Sequence, residues 1–271
     1  MISFFGFSQN PVYLWPDNVP GETGTKHDPV QTPNTEREVI RLTDVTNPAF
    51  LVFKPTSETN NGAGVIVCPG GGYGILAINL EGYEIADWLT KQGFTAFVLQ
   101  YRVPNKQEGA LMDAQRAIRI IRNDAVKYGI KANQLGIMGF SAGGSLSART
   151  ATLSSKKTYS PVDKADSLSC RPDFALLIYP AYLDLGTSRS LTPELTVDQN
   201  TPPMFIFATA DDAYSNSALV MTTALRDAKV PVEMHLLAKG GHGYGLRSGN
   251  VAGETWPKLA EIWLKNIIAV Q

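Results

Sequence analysis

Continuous apolar runs alternate with segments of helical spacing along most of this 271-residue chain. The strand-like runs occupy residues 65–68, 94–99, 135–138, 174–179, 204–208 and 232–237. Helical spacing covers residues 80–92, 110–128, 215–228 and 255–269, and a further helix is predicted from Ala142. Strands that are apolar throughout and separated by helices are typical of a parallel sheet covered on both faces. The pattern predicts an α/β fold with a mostly parallel, doubly wound sheet.

The region before this alternation predicts a different kind of structure. Residues 38–42 and 50–53 are strand-like, and the short segment 44–48 between them predicts an antiparallel hairpin ahead of the sheet. Residues 1–35 predict an arm on the surface, because from residue 10 they are rich in Pro, Gly, Asn and Thr without helical periodicity. Because 44% of the residues in the whole chain are hydrophobic, the chain can bury one large core, and residues 36–271 are predicted to form one domain.

The first eight residues are apolar and include Gly6 and Ser8, whose spacing resembles that of small residues at a signal cleavage site. No basic segment precedes them. We interpret residues 1–8 as the end of an export signal, which predicts a periplasmic or secreted protein. The alternative is an ordinary apolar strand of a cytoplasmic protein.

The net charge and the cysteine content argue against nucleic-acid binding, membrane binding and a zinc site. A formal net charge of −1 gives no electrostatic basis for binding nucleic acid or an anionic membrane surface. No segment reaches the ~20 apolar residues that a membrane span needs. Cys68 and Cys170 show no zinc-site spacing, and we expect buried free thiols; a disulfide in an oxidising compartment is the alternative.

A candidate nucleophile follows the third buried strand, in the segment Gly139-Phe140-Ser141-Ala142-Gly143. A serine on a strained strand-to-helix turn exposes its hydroxyl, and glycines two residues away on either side leave room for the turn. Ser141 is therefore the predicted nucleophile. The alternative is a chance pattern in a chain with 24 glycines.

The candidate base is a histidine at the end of the last strand, because chemistry in such sheets gathers beyond the carboxyl ends of the strands. His242 lies there in a glycine-rich loop. His27 belongs to the N-terminal arm and His235 to a predicted strand, where structural roles are the expectation.

The candidate acid is one of two adjacent aspartates, Asp211 and Asp212, which follow strand 204–208. Adjacent side chains at a strand end point in different directions, so only one of them is expected to reach the histidine. We choose Asp212 and expect Asp211 to cap the following helix or to bind loop backbone. The chain order Ser, Asp, His is the one expected when the serine lies on such a turn.

Donors for an oxyanion are predicted in two places. The glycine-rich segment that follows strand 65–68 includes Gly71 and Gly72, whose backbone N–H groups can approach a substrate closely. The other predicted donor is the N–H of Ala142, directly after the nucleophile. A phosphate-binding P-loop is excluded because no Lys-Ser or Lys-Thr follows the glycines.

Six segments in combination resemble the α/β-hydrolase esterases of the acetylxylan-esterase-like group, over residues 36–269: Pro69–Tyr73, Tyr101-Arg102, Asp113–Ala117, Gly139–Gly144, Asp211-Asp212 and Gly240–Gly243. The resemblance implies the α/β-hydrolase fold and removal of acetyl groups from carbohydrates without a metal or cofactor. It also implies that Ser141 is the nucleophile, His242 the base and Asp212 the orienting acid, with Gly71, Gly72 and Ala142 as oxyanion donors.

The sequence departs from this family pattern at two positions. Pro69 stands where lipase-like relatives carry a histidine, and Ala213-Tyr214 follows the two aspartates in place of the expected Pro-Val. We therefore expect the loop beside the acid to differ in shape from the family pattern.

The function predicted from these residues is a serine esterase that removes acetyl or other short acyl groups from a small-molecule or oligosaccharide ester, such as xylan or xylo-oligosaccharides, through an acyl-enzyme. The alternatives are a general short-chain carboxylesterase, a serine peptidase of the prolyl-oligopeptidase type and a non-catalytic binding protein. Four tyrosines are candidates for a sugar platform or an acyl-pocket wall, or else are ordinary partly buried side chains: Tyr73, Tyr182, Tyr214 and Tyr244.

Overall fold

The computed structural model describes residues 10–269, so the interpretation of residues 1–8 as an export signal lies outside the described residues. The strands are β1 (Val12–Tyr13), β2 (Val30–Gln31), β3 (Arg41–Thr43), β4 (Ala49–Phe53), β5 (Gly64–Cys68), β6 (Leu76–Ala77), β7 (Thr95–Gln100), β8 (Leu135–Phe140), β9 (Ala175–Ile178), β10 (Met204–Thr209) and β11 (Val232–Leu237). The α-helices are α1 (Glu84–Lys91), α2 (Gln107–Asn123), α3 (Ala125–Tyr128), α4 (Ala142–Thr152), α5 (Ser215–Asp227) and α6 (Val251–Ala269).

Eight strands form the central sheet, in the order β1-β4-β7-β5-β8-β9-β10-β11. The pairs β1–β4 and β4–β7 are antiparallel, and every pair from β7 to β11 is parallel. The predicted α/β class with a mostly parallel sheet is therefore confirmed. Each predicted parallel strand and helix lies within a few residues of its predicted position.

Helices cover both faces of the sheet and bury a separate apolar cluster on each. One cluster joins the sheet to α2, α4 and α5, and the other joins it to α1 and α6. Strands β5, β7 and β8 are buried at every residue, which accounts for their continuous apolar sequences. In residues 10–269 no helix is long and apolar enough to cross a bilayer.

The predicted hairpin between residues 38–42 and 50–53 is wrong, because the two segments belong to different sheets. Strand β3 lies in a separate three-stranded antiparallel sheet between β2 and β6. Strand β4 instead pairs with β1 and with β7, and this provides the antiparallel part of the central sheet. Alternating hydrophobicity shows which face of a strand is buried, but it does not identify the neighbouring strand.

The N-terminal arm enters the core, contrary to the expectation of a surface segment. Strand β1 forms an edge of the central sheet, and the next two residues, Leu14 and Trp15, are almost fully buried. The indole N–H of Trp15 donates to Asp113 Oδ1 at 2.8 Å, and Arg116 Nε donates to the carbonyl of Leu14 at 3.1 Å. Residues 12–15 are therefore part of the same packed unit as the residues beyond 35.

Replacing Trp15 by alanine is expected to lower the free energy of unfolding by about 3–5 kcal/mol, because it leaves a large cavity and removes a donor from buried Asp113. Urea unfolding followed by circular dichroism measures the change. The neighbouring Tyr13, which is 43% exposed, supplies the control: Tyr13→Ala should cost less than about 1 kcal/mol. Equal destabilisation by both variants would contradict the role assigned to Trp15.

Both cysteines are free and buried, which confirms the expectation of unpaired thiols. Burial raises the pKa of the Cys68 thiol to about 12, so this group stays protonated and unreactive at neutral pH. Cys68 is the last residue of β5, directly ahead of the glycine-rich loop, and its role there is packing.

Candidate active site

Ser141 occupies the turn between β8 and α4, with φ of 52° and ψ of −117°. A positive φ is sterically unfavourable for a residue with a side chain, and such strain costs about 1–3 kcal/mol. The glycines on either side leave room for it. A Cβ atom at Gly139 would overlap the carbonyl of Gly143, and one at Gly143 would overlap the carbonyl of Cys68. The two glycines are thus required by backbone contacts around the serine.

The structure brings Ser141, His242 and Asp212 into one hydrogen-bonded chain. Ser141 Oγ lies 2.7 Å from His242 Nε2, and His242 Nδ1 lies 2.6 Å from Asp212 Oδ2. The Asp212 side chain is 1% exposed, and its other oxygen accepts from the N–H of Tyr214 at 2.9 Å. With an ionised carboxylate on Nδ1, that nitrogen carries the proton and Nε2 is left to accept from the serine hydroxyl.

Asp211 lies outside this chain and fixes the loop that carries the histidine. Its exposed carboxylate accepts from the N–H of Gly241 at 2.9 Å and from the N–H of Gly240 at 3.3 Å. These backbone donors lower the pKa of Asp211, because they stabilise its charged form. Of its two expected roles, binding of loop backbone is the one observed.

The glycine-rich loop after β5 carries the predicted oxyanion donors. Gly71 has φ of 133° and Gly72 has φ of 63°, and the carbonyl of Gly71 accepts from the N–H groups of Gly74 and Ile75. In the part of the chain that the structure describes, the N–H groups of Gly71, Gly72 and Ala142 have no hydrogen-bond acceptor. Their three protons are available to a bound ligand.

The four predicted tyrosines divide into two pairs. Tyr182 and Tyr214 lie at the surface of the site, with ring centroids 5.5 Å apart, and the Tyr214 ring is 5.0 Å from the His242 ring. Tyr73 and Tyr244 are each only 3% exposed. Burial raises the pKa of Tyr73 to about 12, so its hydroxyl stays neutral. Only Tyr182 and Tyr214 have the exposure that a sugar platform requires.

Two residues beside the site were missed by the sequence analysis, Tyr179 and Glu81. The Tyr179 ring lies 5.0 Å from the His242 ring in an edge-on arrangement, and its hydroxyl donates to Glu81 Oε1 at 2.8 Å. Burial raises the pKa of Glu81, opposed by the donors Tyr179 and Gly70 and by the charge of His242. Glu81 falls in a segment of helical spacing, where a glutamate is typical of an exposed face, so the sequence carried no signal for it.

Residues 10–269 contain no cluster of three His, Cys, Asp or Glu side chains that could hold a metal ion. The groups that the described residues present at the site are a hydroxyl, an imidazole, a carboxylate and backbone amides.

Comparisons with known proteins place the chain among esterases. The family model BD-FAE matches residues 51–178. The acetylxylan esterase of Xylanibacter ruminicola is 29% identical over 273 residues, which cover 89% of this chain. The solved structure of an acetyl ester-xyloside bifunctional hydrolase from Caldicellulosiruptor lactoaceticus is 31% identical, with a TM-score of 0.79 and 96% of each chain covered. This chain belongs to the α/β-hydrolase esterases.

These similarities confirm the resemblance to the acetylxylan-esterase-like group and the predicted α/β-hydrolase fold. This chain also matches the endo-1,4-beta-xylanase B of Butyrivibrio fibrisolvens, at 34% identity over 205 residues, or 66% of this chain. It spans about half the length of the acetylxylan esterase (52%) and about a third of the xylanase (32%).

Proposed function

We propose that this chain is a serine esterase that removes acetyl or other short acyl groups from xylan or xylo-oligosaccharides. The observation that carries the proposal is the hydrogen-bonded chain Ser141–His242–Asp212, with the serine on a strained turn beside three unused amides. The relatives named for acetyl-ester and xylan hydrolysis support the choice of an acetylated sugar.

In the acylation step, Ser141 Oγ attacks the ester carbonyl carbon while His242 Nε2 takes the hydroxyl proton. Buried Asp212 accepts the Nδ1–H bond and stabilises the imidazolium that forms. The carbonyl oxygen becomes an oxyanion, which the amides of Gly71, Gly72 and Ala142 stabilise. The imidazolium then gives its proton to the leaving alcohol oxygen, and an acyl-serine remains.

In the deacylation step, His242 takes a proton from water, and the resulting hydroxide attacks the acyl carbonyl. The oxyanion forms again at the same amides, and the bond to Ser141 Oγ breaks as His242 returns the proton to it. The products are the free acid and the regenerated enzyme.

Tyr182 and Tyr214 are the side chains that we assign to the sugar. Tyr214 lies beside His242 and Tyr182 packs against Tyr214, and aromatic rings offer an apolar face together with a hydroxyl that can bind sugar oxygens. Buried Tyr73 and Tyr244 are assigned to the support of the site instead, because Tyr73 packs 6.3 Å from Tyr182 and Tyr244 packs 4.4 Å from Tyr179.

Acetate release from acetylated xylo-oligosaccharide, compared with the rate on an aryl acetate, tests the proposed function. The blank is Ser141→Ala. Comparable or higher kcat/KM on the oligosaccharide supports a carbohydrate deacetylase. Turnover of the aryl ester alone would contradict the sugar substrate and point to a general carboxylesterase, and cleavage of an aminoacyl amide would point to a peptidase.

Substitution Tyr214→Ala is expected to lower kcat/KM on the oligosaccharide about 3–10-fold more than on the aryl acetate, because only the sugar loses a stacking surface. Steady-state kinetics on both substrates give the ratio. Tyr13→Ala is the matched control, since Tyr13 is an exposed tyrosine on the edge strand β1. If Tyr214→Ala leaves the ratio of the two kcat/KM values unchanged, the assignment of the sugar to Tyr214 is contradicted.

A further inference from the structure

Glu81 is a buried carboxylate close to the site that the reaction described above does not use. It lies on the π-helical turn Asn79–Tyr83 between β6 and α1, and it is 4% exposed. Within residues 10–269 no basic side chain forms an ion pair with it. A carboxylate at such a position is costly to bury and needs compensation by hydrogen bonds. π-helical turns are frequent at functional sites.

One oxygen of Glu81 binds the glycine-rich loop after β5, residues 69–73, which is called the oxyanion loop below. Oε2 accepts from the N–H of Gly70 at 2.7 Å. Gly70 lies against the nucleophile turn, since a Cβ atom placed there would lie 2.9 Å from Ser141 Cβ and 2.6 Å from the carbonyl oxygen of Phe140. The bond to Glu81 therefore fixes the loop that carries Gly71 and Gly72 relative to the serine.

The other oxygen of Glu81 binds Tyr179, the side chain that packs against His242. Oε1 accepts from the hydroxyl of Tyr179 at 2.8 Å, and that hydroxyl also accepts from the N–H of Gly245 at 3.2 Å. The Tyr179 ring contacts the His242 ring, with 5.0 Å between centroids. Tyr179 thus binds both the imidazole and the loop that follows it, and Glu81 sets the position of Tyr179.

We propose that Glu81 is a positioning residue of the esterase reaction, whose single carboxylate holds the oxyanion loop through Gly70 and the base through Tyr179. The inference rests on the proposed function, because it assigns Glu81 to the geometry of that same site. Each of the two carboxyl oxygens has its own partner, so one side chain fixes the separation of the two elements that carry the oxyanion donors and the base.

The variants Glu81→Gln, Tyr179→Phe and the double variant test this inference without opening a cavity. A glutamine oxygen can accept from only one of the two donors, and its NH₂ group then faces the other donor. Each single variant is expected to lower kcat on an aryl acetate about 10–100-fold with KM changed less than about threefold, because misplaced donors act mainly in the transition state. The double variant should lose less than the product of the two single losses, since both variants disturb the hydrogen bond between Glu81 and Tyr179.

Glu108→Gln is the control, because it makes the same chemical change at an exposed position on α2 and should leave kcat unaltered. The urea midpoint of each variant and the rate at which a fluorophosphonate labels Ser141 are measured beside turnover. Labelling should slow in Glu81→Gln and Tyr179→Phe, since phosphonylation uses the same serine, histidine and amides.

Wild-type kcat in Glu81→Gln and Tyr179→Phe, with the wild-type protein active on esters, would overturn the positioning role and leave the proposed function intact. Fully multiplicative losses in the double variant would overturn the shared action through Tyr179. If the wild-type protein hydrolyses no ester but Ser141 is labelled, and labelling slows in Glu81→Gln, the positioning role holds and the proposed function fails.

Discussion

Replacing Ser141 by alanine is expected to lower kcat on an aryl acetate by a factor of about 10⁴–10⁶, because the variant has no nucleophile to form the acyl-enzyme. The remaining rate would come from the oxyanion donors and from binding alone. Within residues 10–269, the hydroxyl that forms a hydrogen bond with His242 Nε2 is that of Ser141, at 2.7 Å. Stopped assays at high enzyme concentration, with acetate determined directly, measure the residual rate.

The matched control is Ser147→Ala, which removes a hydroxyl from a buried serine inside α4, six residues after Ser141. It is expected to retain the wild-type rate within about twofold, and both variants should unfold at similar urea concentrations. A fluorophosphonate should label Ser147→Ala but not Ser141→Ala. Retention of more than a tenth of the wild-type kcat by Ser141→Ala would mean that the nucleophile is another group.

Replacing Asp212 by asparagine is expected to lower kcat by a factor of about 10⁴, because an amide favours the wrong imidazole tautomer and cannot stabilise the imidazolium. The effect is large because Asp212 is 1% exposed and lies 2.6 Å from His242 Nδ1, where water cannot replace it. Measurement of kcat and KM on the aryl acetate should show the loss almost entirely in kcat.

Asp211→Asn makes the same chemical change one residue earlier and serves as the control. Asp211 is exposed and accepts from the N–H groups of Gly240 and Gly241, and an asparagine oxygen can still accept one of these bonds. We expect a loss of less than about tenfold in kcat. The opposite result, with Asp211→Asn nearly inactive and Asp212→Asn nearly normal, would reverse the assignment of the acid.

The central sheet was predictable because its strands are buried on both faces. A strand such as β8 must then be apolar at every position, and the helices between such strands show their own spacing. The places of Ser141 and His242 follow from the same pattern, since both lie directly beyond the ends of such strands. The choice between Asp211 and Asp212 rested on side-chain direction, and in the structure it is Asp212 whose carboxylate forms the hydrogen bond with His242.

The N-terminal region was less predictable because its strands are short and their partners are distant in sequence. Strand β1 has two residues, too few to show any periodicity, and it pairs with β4 more than thirty residues later. The burial of Trp15 depends on Asp113, which is 98 residues away. The expected hairpin failed for the same reason, since β3 and β4 are close in sequence but have long-range partners.

Glu81 and Tyr179 could not be assigned from the sequence for a physical reason. Both act through contacts with backbone N–H groups, at Gly70 and at Gly245, and backbone donors leave no pattern of side-chain types. Glu81 also lies on a π-helical turn, whose side chains point in directions that a regular α-helical pattern does not describe.

The strand order also determines when the catalytic site can form during protein synthesis. The turn that carries Ser141 follows β8 near the middle of the sheet, whereas His242 follows β11, which is translated after the other ten strands of the described residues and lies outermost on its side of the sheet. A nascent polypeptide can therefore pair its earlier strands and position the serine while the base is still to be translated. Under the proposed mechanism, ribosome-bound intermediates and products of premature termination before residue 242 lack the catalytic base, and full activity arises in a single late step.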